Sequence, residues 1–189
     1  MIKKNFIVKH LNFIKKNNCQ IVGGPQLYKS KRVFFRVFER NFLNDRYVSW
    51  VSTNNVFYLK SALDKNLHFS KNVTKYGYGE DQLFFSKLSN FKKTIRWNNN
   101  PVFEIAQKKR ENIKWFMERN YKYGLTGILI DRELYGFIPA IFLNIFKALL
   151  NLSLSFLNLL LIPLKPIVNF YYSFAYFLRF IGRVVNIFG

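Results

Sequence analysis

Acid is scarce in this sequence. Ten Asp and Glu residues stand against 30 Lys and Arg, for a formal net charge of +20 at pH 7. A single cysteine, Cys19, excludes an internal disulfide and any thiolate metal cluster. His10 and His68 are the only 2 histidines and lie far apart, so a zinc site is not expected and core or surface roles are. The 4 aspartates, Asp45, Asp64, Asp81 and Asp131, include no two spaced as D-x-D. No internal repeat is visible. The first 18 residues are not a signal peptide, because lysines interrupt their apolar positions and no small-residue cleavage site follows.

What is abundant is apolar and aromatic. Hydrophobic residues make up 50% of the 189, with 22 Phe, which excludes a disordered basic tail. High positive charge with high hydrophobicity points to a membrane surface or a phosphate-bearing ligand. Basic and aromatic residues interleave over 29–46, as in some single-strand binders. No recognisable nucleic-acid module surrounds them, so nucleic acid is not an expected partner. The two glycosylation sequons, at Asn72 and Asn151, are short enough to arise by chance.

The composition changes once. From Gly136 onward the only charged residues are Lys147, Lys165, Arg179 and Arg183. The expected division is therefore 1–135, a basic α/β portion, and 136–189, an apolar helical portion. In the first portion the spacing predicts a helix over 1–18, with Ile2, Phe6, Ile7, Leu11 and Ile14 apolar. It predicts short strands at 19–22, 47–51, 92–97 and 101–104, and a helix over 108–123 capped by Gly124. Between them, Gly77 and Gly79 mark a loop that breaks into a helix at Glu80 and Asp81, with Leu83, Phe84 and Leu88 as its apolar face. Carboxylates at a helix start are favoured by the dipole, so capping alone explains them from this stretch.

The tail reads as two helices separated by Pro163-Leu164-Lys165-Pro166. Asn144, Lys147, Asn151, Ser155 and Asn158 step by three or four, one stripe on one face. Asn169, Ser173, Tyr176, Arg179, Arg183 and Asn186 make a second stripe. Three arrangements are open: spanning helices with facing stripes, interfacial helices with stripes toward headgroups, or a helical subdomain in water. The apolar cover favours membrane association.

The order of these motifs resembles a known family. A strand ending in Gly-Gly-Pro at 23–25 precedes Ser52-Thr53-Asn54-Asn55. Next come Gly79-Glu80-Asp81-Gln82-Leu83-Phe84-Phe85 and Trp97 with Pro101-Val102-Phe103-Glu104. Arg110, Trp115-Phe116 and Arg119-Asn120-Tyr121-Lys122-Tyr123-Gly124 complete the set. Over roughly residues 2–124 this resembles the acceptor-side half of family 2 glycosyltransferases, the bacterial exopolysaccharide type similar to succinoglycan glucosyltransferases. The resemblance implies a GT-A α/β fold, followed here by the apolar hairpin. It implies transfer of a sugar from a nucleotide-sugar donor to a glycan or lipid-linked acceptor at the membrane. In a bacterium that is the cytoplasmic face of the inner membrane.

By the same resemblance Asp81 matches the general base and Glu80 orients the loop or contacts the acceptor. Thr53, Asn54 and Asn55 are expected at the sugar pocket, and Arg110 and Arg119 at the leaving diphosphate. Family members bind Mg²⁺ or Mn²⁺ through a D-x-D motif that this sequence lacks. The expectation is a chain that starts just after that motif, N-terminally incomplete and inactive by itself. Processive synthesis is not expected, because no Gln stands three before Arg96-Trp97. The alternative is a non-catalytic, basic, membrane-associated fragment or scaffold.

Overall fold

The structure, a computed structural model, describes residues 5–40, 42–63, 67–90 and 94–188, with side chains through 186. The elements in chain order are helix α1 (Phe6–Asn17), strands β1 (Ile21–Gly23), β2 (Gln26–Lys29) and β3 (Val56–Tyr58), and a one-turn α2 (Lys71–Thr74). Helix α3 (Glu80–Asn90), strands β4 (Ile95–Trp97) and β5 (Val102–Ile105), and helices α4 (Ile113–Tyr135), α5 (Phe137–Leu160) and α6 (Pro166–Phe188) follow. The chain is mixed α/β with a helical C-terminal region. It divides into two compact units: 1–29, 39–70 and 80–105 form one, and 30–38, 71–79 and 106–189 the other.

The first unit holds the strands. β1 is central, antiparallel to β3 and parallel to β4, while β2 and β5 pair in parallel separately. Side chains alternate across β1, and the sequence uses both faces. Ile21 packs with Ile95, Phe85 and Leu88, which places α3 on one face. Val22 packs with Ile14 and Cys19, which places α1 on the other. Burial on both faces explains why Ile21-Val22 is a continuous apolar pair rather than an alternating one. The Cys19 thiol is buried, and loss of hydration pushes its pKa up, so it behaves as a small hydrophobe.

The outcomes for the strands differ in detail. The strand expected at 19–22 is Ile21–Gly23. Those expected over 92–97 and 101–104 are Ile95–Trp97 and Val102–Ile105, with 92 and 93 outside the described residues. The run 47–51 forms no strand. It makes a single antiparallel bridge, Tyr47 to Arg96, next to Asp45, whose φ of 64° turns the backbone left-handed. In α1, with Ile2 outside the described residues, Phe6 and Ile14 are buried as the period requires, but Ile7 and Leu11 are exposed and His10 takes the inward position between them.

In the second unit α4 runs through Gly124 to Tyr135, which corrects the expected cap. Gly124 is there for close approach. A Cβ on it would lie 2.3 Å from the Arg179 carbonyl oxygen and 2.9 Å from the Cα of Gly182. Two glycines thus let α4 and α6 touch backbone to backbone. The helix ends at Gly136, whose φ of 90° suits glycine, and α5 starts from the same residue. The composition boundary at 135/136 coincides with this break, while the compact unit that holds the tail also takes in α4.

The two tail helices form a hairpin with their polar stripes turned inward. Ser155 donates to the Ser173 carbonyl at 3.0 Å. Asn144 accepts from Arg183 Nη1 at 2.7 Å and returns a bond to the Arg183 carbonyl at 3.1 Å. Asn144 is 0% exposed, whereas Phe142 is 70% and Phe146 65% exposed. This is the inverse of a water-soluble helix, whose apolar stripe faces the core.

Candidate functional site

The Glu80-Asp81 segment opens α3 as the glycines suggest. Gly77 and Gly79 have φ of 73° and 91°, and Glu80 and Asp81 occupy the first turn. Leu83, Phe85 and Leu88 then anchor α3, with Phe84 stacked on Phe69. Asp81 Oδ1 accepts the Gln82 N–H at 2.8 Å, a local bond to a helix-start donor. Its other oxygen, Oδ2, accepts the Thr53 N–H at 3.3 Å. One carboxylate therefore ties the start of α3 to the turn that precedes β3.

That turn, Thr53–Asn55, is a 3₁₀ turn capped by Ser52, whose Oγ accepts the Asn54 N–H at 3.4 Å. Thr53 and Asn54 are exposed beside Asp81, and Asn54 Nδ2 donates to Gln26 Oε1 at 3.0 Å. Asn55 points the other way and is buried. Its amide donates to the Pro25 carbonyl at 2.8 Å and the Asn100 carbonyl at 3.0 Å. Gly24 makes room for this, since a Cβ there would lie 2.7 Å from the Asn55 amide nitrogen. Asn55 is thus a brace that fixes the turn, while Thr53, Asn54, Gln26 and Asp81 present polar groups outward. Glu80 is half-buried, and its Oε2 has no hydrogen-bond partner among the described residues. A buried, unpartnered carboxylate oxygen is costly unless something else satisfies it.

Gln26 was not singled out from the sequence. It donates to Glu104 across the β2–β5 pair and receives Asn54, so it links that pair to the turn. The β-strand period around Gln26 carries no signal that this side chain would face a loop 28 residues away.

Arg110 and Arg119 belong to the second unit. Arg110 ends a 3₁₀ turn, Lys108–Arg110, ahead of α4. Arg119 is set among aromatic rings, 4.4 Å from the centroid of Phe38 and 4.9 Å from that of Trp115, and donates to the Tyr123 hydroxyl at 2.8 Å.

The same unit holds a charged cluster that the sequence reading passed over. Asp131 on α4 is 3% exposed and receives Lys147 Nζ of α5 at 2.6 Å, with Arg183 Nη1 of α6 at 3.7 Å. Nearby Arg179 donates to Asn120 at 2.9 Å, and Asn186 donates to the Leu125 carbonyl at 2.6 Å. Three helices therefore meet along a polar seam.

The described residues do not make a site for the Mg²⁺ or Mn²⁺ that the resemblance implies. Among the described residues no three of His, Cys, Asp and Glu converge, and both Asp81 oxygens are occupied by N–H donors. Among the described residues, one helix, Phe137–Leu160, is by length and composition long and apolar enough to cross a membrane. Compared with protein-family models, curated proteins and solved structures, the chain matches none.

Proposed function

We propose that this chain is the acceptor-side part of a membrane-associated glycosyltransferase of family 2 type, with Asp81 as general base. The observation that carries the reading is the tie between Asp81 Oδ2 and the exposed Thr53 turn. It holds a half-buried carboxylate, by one local bond and one from a turn 28 residues away, at a solvent-reachable rim of polar side chains. An acceptor hydroxyl entering there donates to the carboxylate. As the hydroxyl oxygen bonds to the anomeric carbon, its proton passes to Asp81 and the bond to the nucleoside diphosphate breaks. A positioned base of this kind contributes about 10²–10⁴ in rate. Thr53, Asn54 and Gln26 orient the acceptor, and Asn55 keeps their turn in place. Glu80, whose Oε2 is buried, orients the loop at the start of α3. The proposal keeps a divalent metal at the donor diphosphate, held by groups other than the described residues.

The membrane half of the proposal is supported by the inverted tail. Each exposed Phe or Leu forgoes about 1.5–3 kcal/mol of burial in water. On α5, Phe142, Phe146, Leu149, Phe156 and Leu160 together form an apolar face left exposed among the described residues. The same observation favours a second reading, a membrane scaffold without catalysis. Amide NMR of the full chain in lipid nanodiscs separates the two. Glycan and lipid-linked acceptors shift Thr53, Asn54 and Gln82 under the transferase reading. Saturating acceptor that leaves those amides unmoved eliminates it in favour of the scaffold.

A further inference from the structure

Resting on the membrane part of that reading, we infer that the α4–α6 unit lies along a single leaflet instead of crossing the bilayer. Its occupant partner is the acyl layer of an anionic phospholipid membrane. The argument begins with the outer face of α5. Phe142, Phe146, Leu149, Ser153 and Leu160 share one side of the helix, opposite Asn144, Asn151 and Ser155. Apart from Ser153, that side is apolar over roughly 27 Å, from Phe142 to Leu160, at 1.5 Å per residue. Its length alone suits either orientation.

Helix α4 decides between them. It runs alongside α6 in the same direction, because Asn120 meets Arg179, Gly124 meets Gly182, and the Leu125 carbonyl meets Asn186. Asn120 is thereby level with the middle of α6, which spans Pro166–Phe188. Glu118 and Lys122 flank Asn120 and form an ion pair at 2.6 Å, with side chains 50% and 32% exposed. Arg132 and Glu133 are exposed toward the other end of α4. If the hairpin stood across the membrane, the Glu118–Lys122 pair would lie at the hydrocarbon midplane. The uncharged stretch of α4 between Lys122 and Asp131 covers only about 13.5 Å, less than half of the roughly 30 Å core. With the helix axes in the membrane plane the conflict disappears. The outer face of α5 and the exposed Ile167, Phe170 and Phe177 of α6 enter the acyl chains, while the charges of α4 stay in water. A net charge of +20 suits an anionic leaflet.

The test is a depth profile on the full chain in vesicles of phosphatidylethanolamine and phosphatidylglycerol. Nitroxide labels are placed singly at Phe142→Cys, Phe146→Cys, Leu149→Cys, Ser153→Cys and Leu160→Cys in a Cys19→Ala background, and oxygen accessibility is compared with that of a water-soluble nickel chelate. All five positions are exposed, so no label disturbs the core. The expected result is a flat profile, every label about 5–10 Å below the phosphates, with a label at Glu118→Cys in water. A profile deepest near Leu149 and Ser153, with Phe142 and Leu160 at headgroup level, overturns the inference and leaves membrane association standing. Five labels that all remain in water overturn both. Neither result depends on Asp81.

Discussion

Removing the Asp131 carboxylate should unfold the helical unit more than any surface change in it. Asp131 is 3% exposed and faces Lys147 at 2.6 Å and Arg183 at 3.7 Å, from two other helices. Asp131→Asn keeps the shape and leaves two cations without their anion. Arg183 is the worse placed, with a side chain only 12% exposed and Asn144 as its remaining acceptor. Breaking a buried ion pair from one side costs about 3–5 kcal/mol. Lys147→Met removes a cation that is 36% exposed and leaves Asp131 with Arg183, so the cost is smaller, about 1–2 kcal/mol, near the surface-pair range. The double variant Asp131→Asn/Lys147→Met relieves part of the charge excess and should be less destabilised than the sum of the singles. Denaturant unfolding in micelles, followed by circular dichroism, supplies the cycle. An Asp131→Asn variant within about 0.5 kcal/mol of the parent would refute the claim that this carboxylate joins the three helices.

Two further outcomes follow from the packing. His10 is buried between Phe6 and Phe57, its Nδ1 near the Phe6 carbonyl and the Asn100 amide and its Nε2 without a partner among the described residues. Burial holds its pKa below the ordinary 6.5, against a smaller opposing effect of the Phe6 carbonyl. The unfolded chain then binds the proton more readily, so stability of the first unit is full above pH 6.5 and falls as pH drops below it. His10→Phe should flatten that dependence in thermal melts between pH 7 and pH 5, and an unchanged slope would contradict it. Gly124→Val places side-chain atoms against the backbone of α6 and should cost about 1–3 kcal/mol, read as loss of the α4–α6 contact by cysteine crosslinking. Crosslinking at the parent level would contradict the close approach.

Much of this architecture was legible because single signals were strong. The glycine pair before Glu80-Asp81 and the apolar period of 83–88 place α3 where it is. The two polar stripes give the hairpin, while the direction they face was one of three open arrangements and is set by contacts such as Ser155 with Ser173 and Asn144 with Arg183. Other features were hidden by tertiary context. Gly124 looks like a helix end, and only the neighbouring Gly182 shows that it is a crossing point. With α4 cut short there, the run Asn120, Gly124, Gly127 and Asp131 went unrecognised as a third stripe of the same seam. Asn55 reads as a polar turn residue, yet it is buried against carbonyls from two distant segments. Asp81 was identified by motif, but its bond to the Thr53 amide depends on a contact across 28 residues of sequence.

The central claim is that Asp81 takes the acceptor proton, and sugar transfer measures it most directly. Native membranes carrying the full chain supply acceptor and any donor-binding partner. Radiolabelled UDP-, GDP- and dTDP-sugars are offered in turn, with the parent and the Asp81→Asn variant expressed to equal level. The account predicts transfer that depends on the parent chain and falls about two to four orders of magnitude in Asp81→Asn, with acceptor retention in the membrane unchanged. Transfer by Asp81→Asn at the parent rate would contradict it.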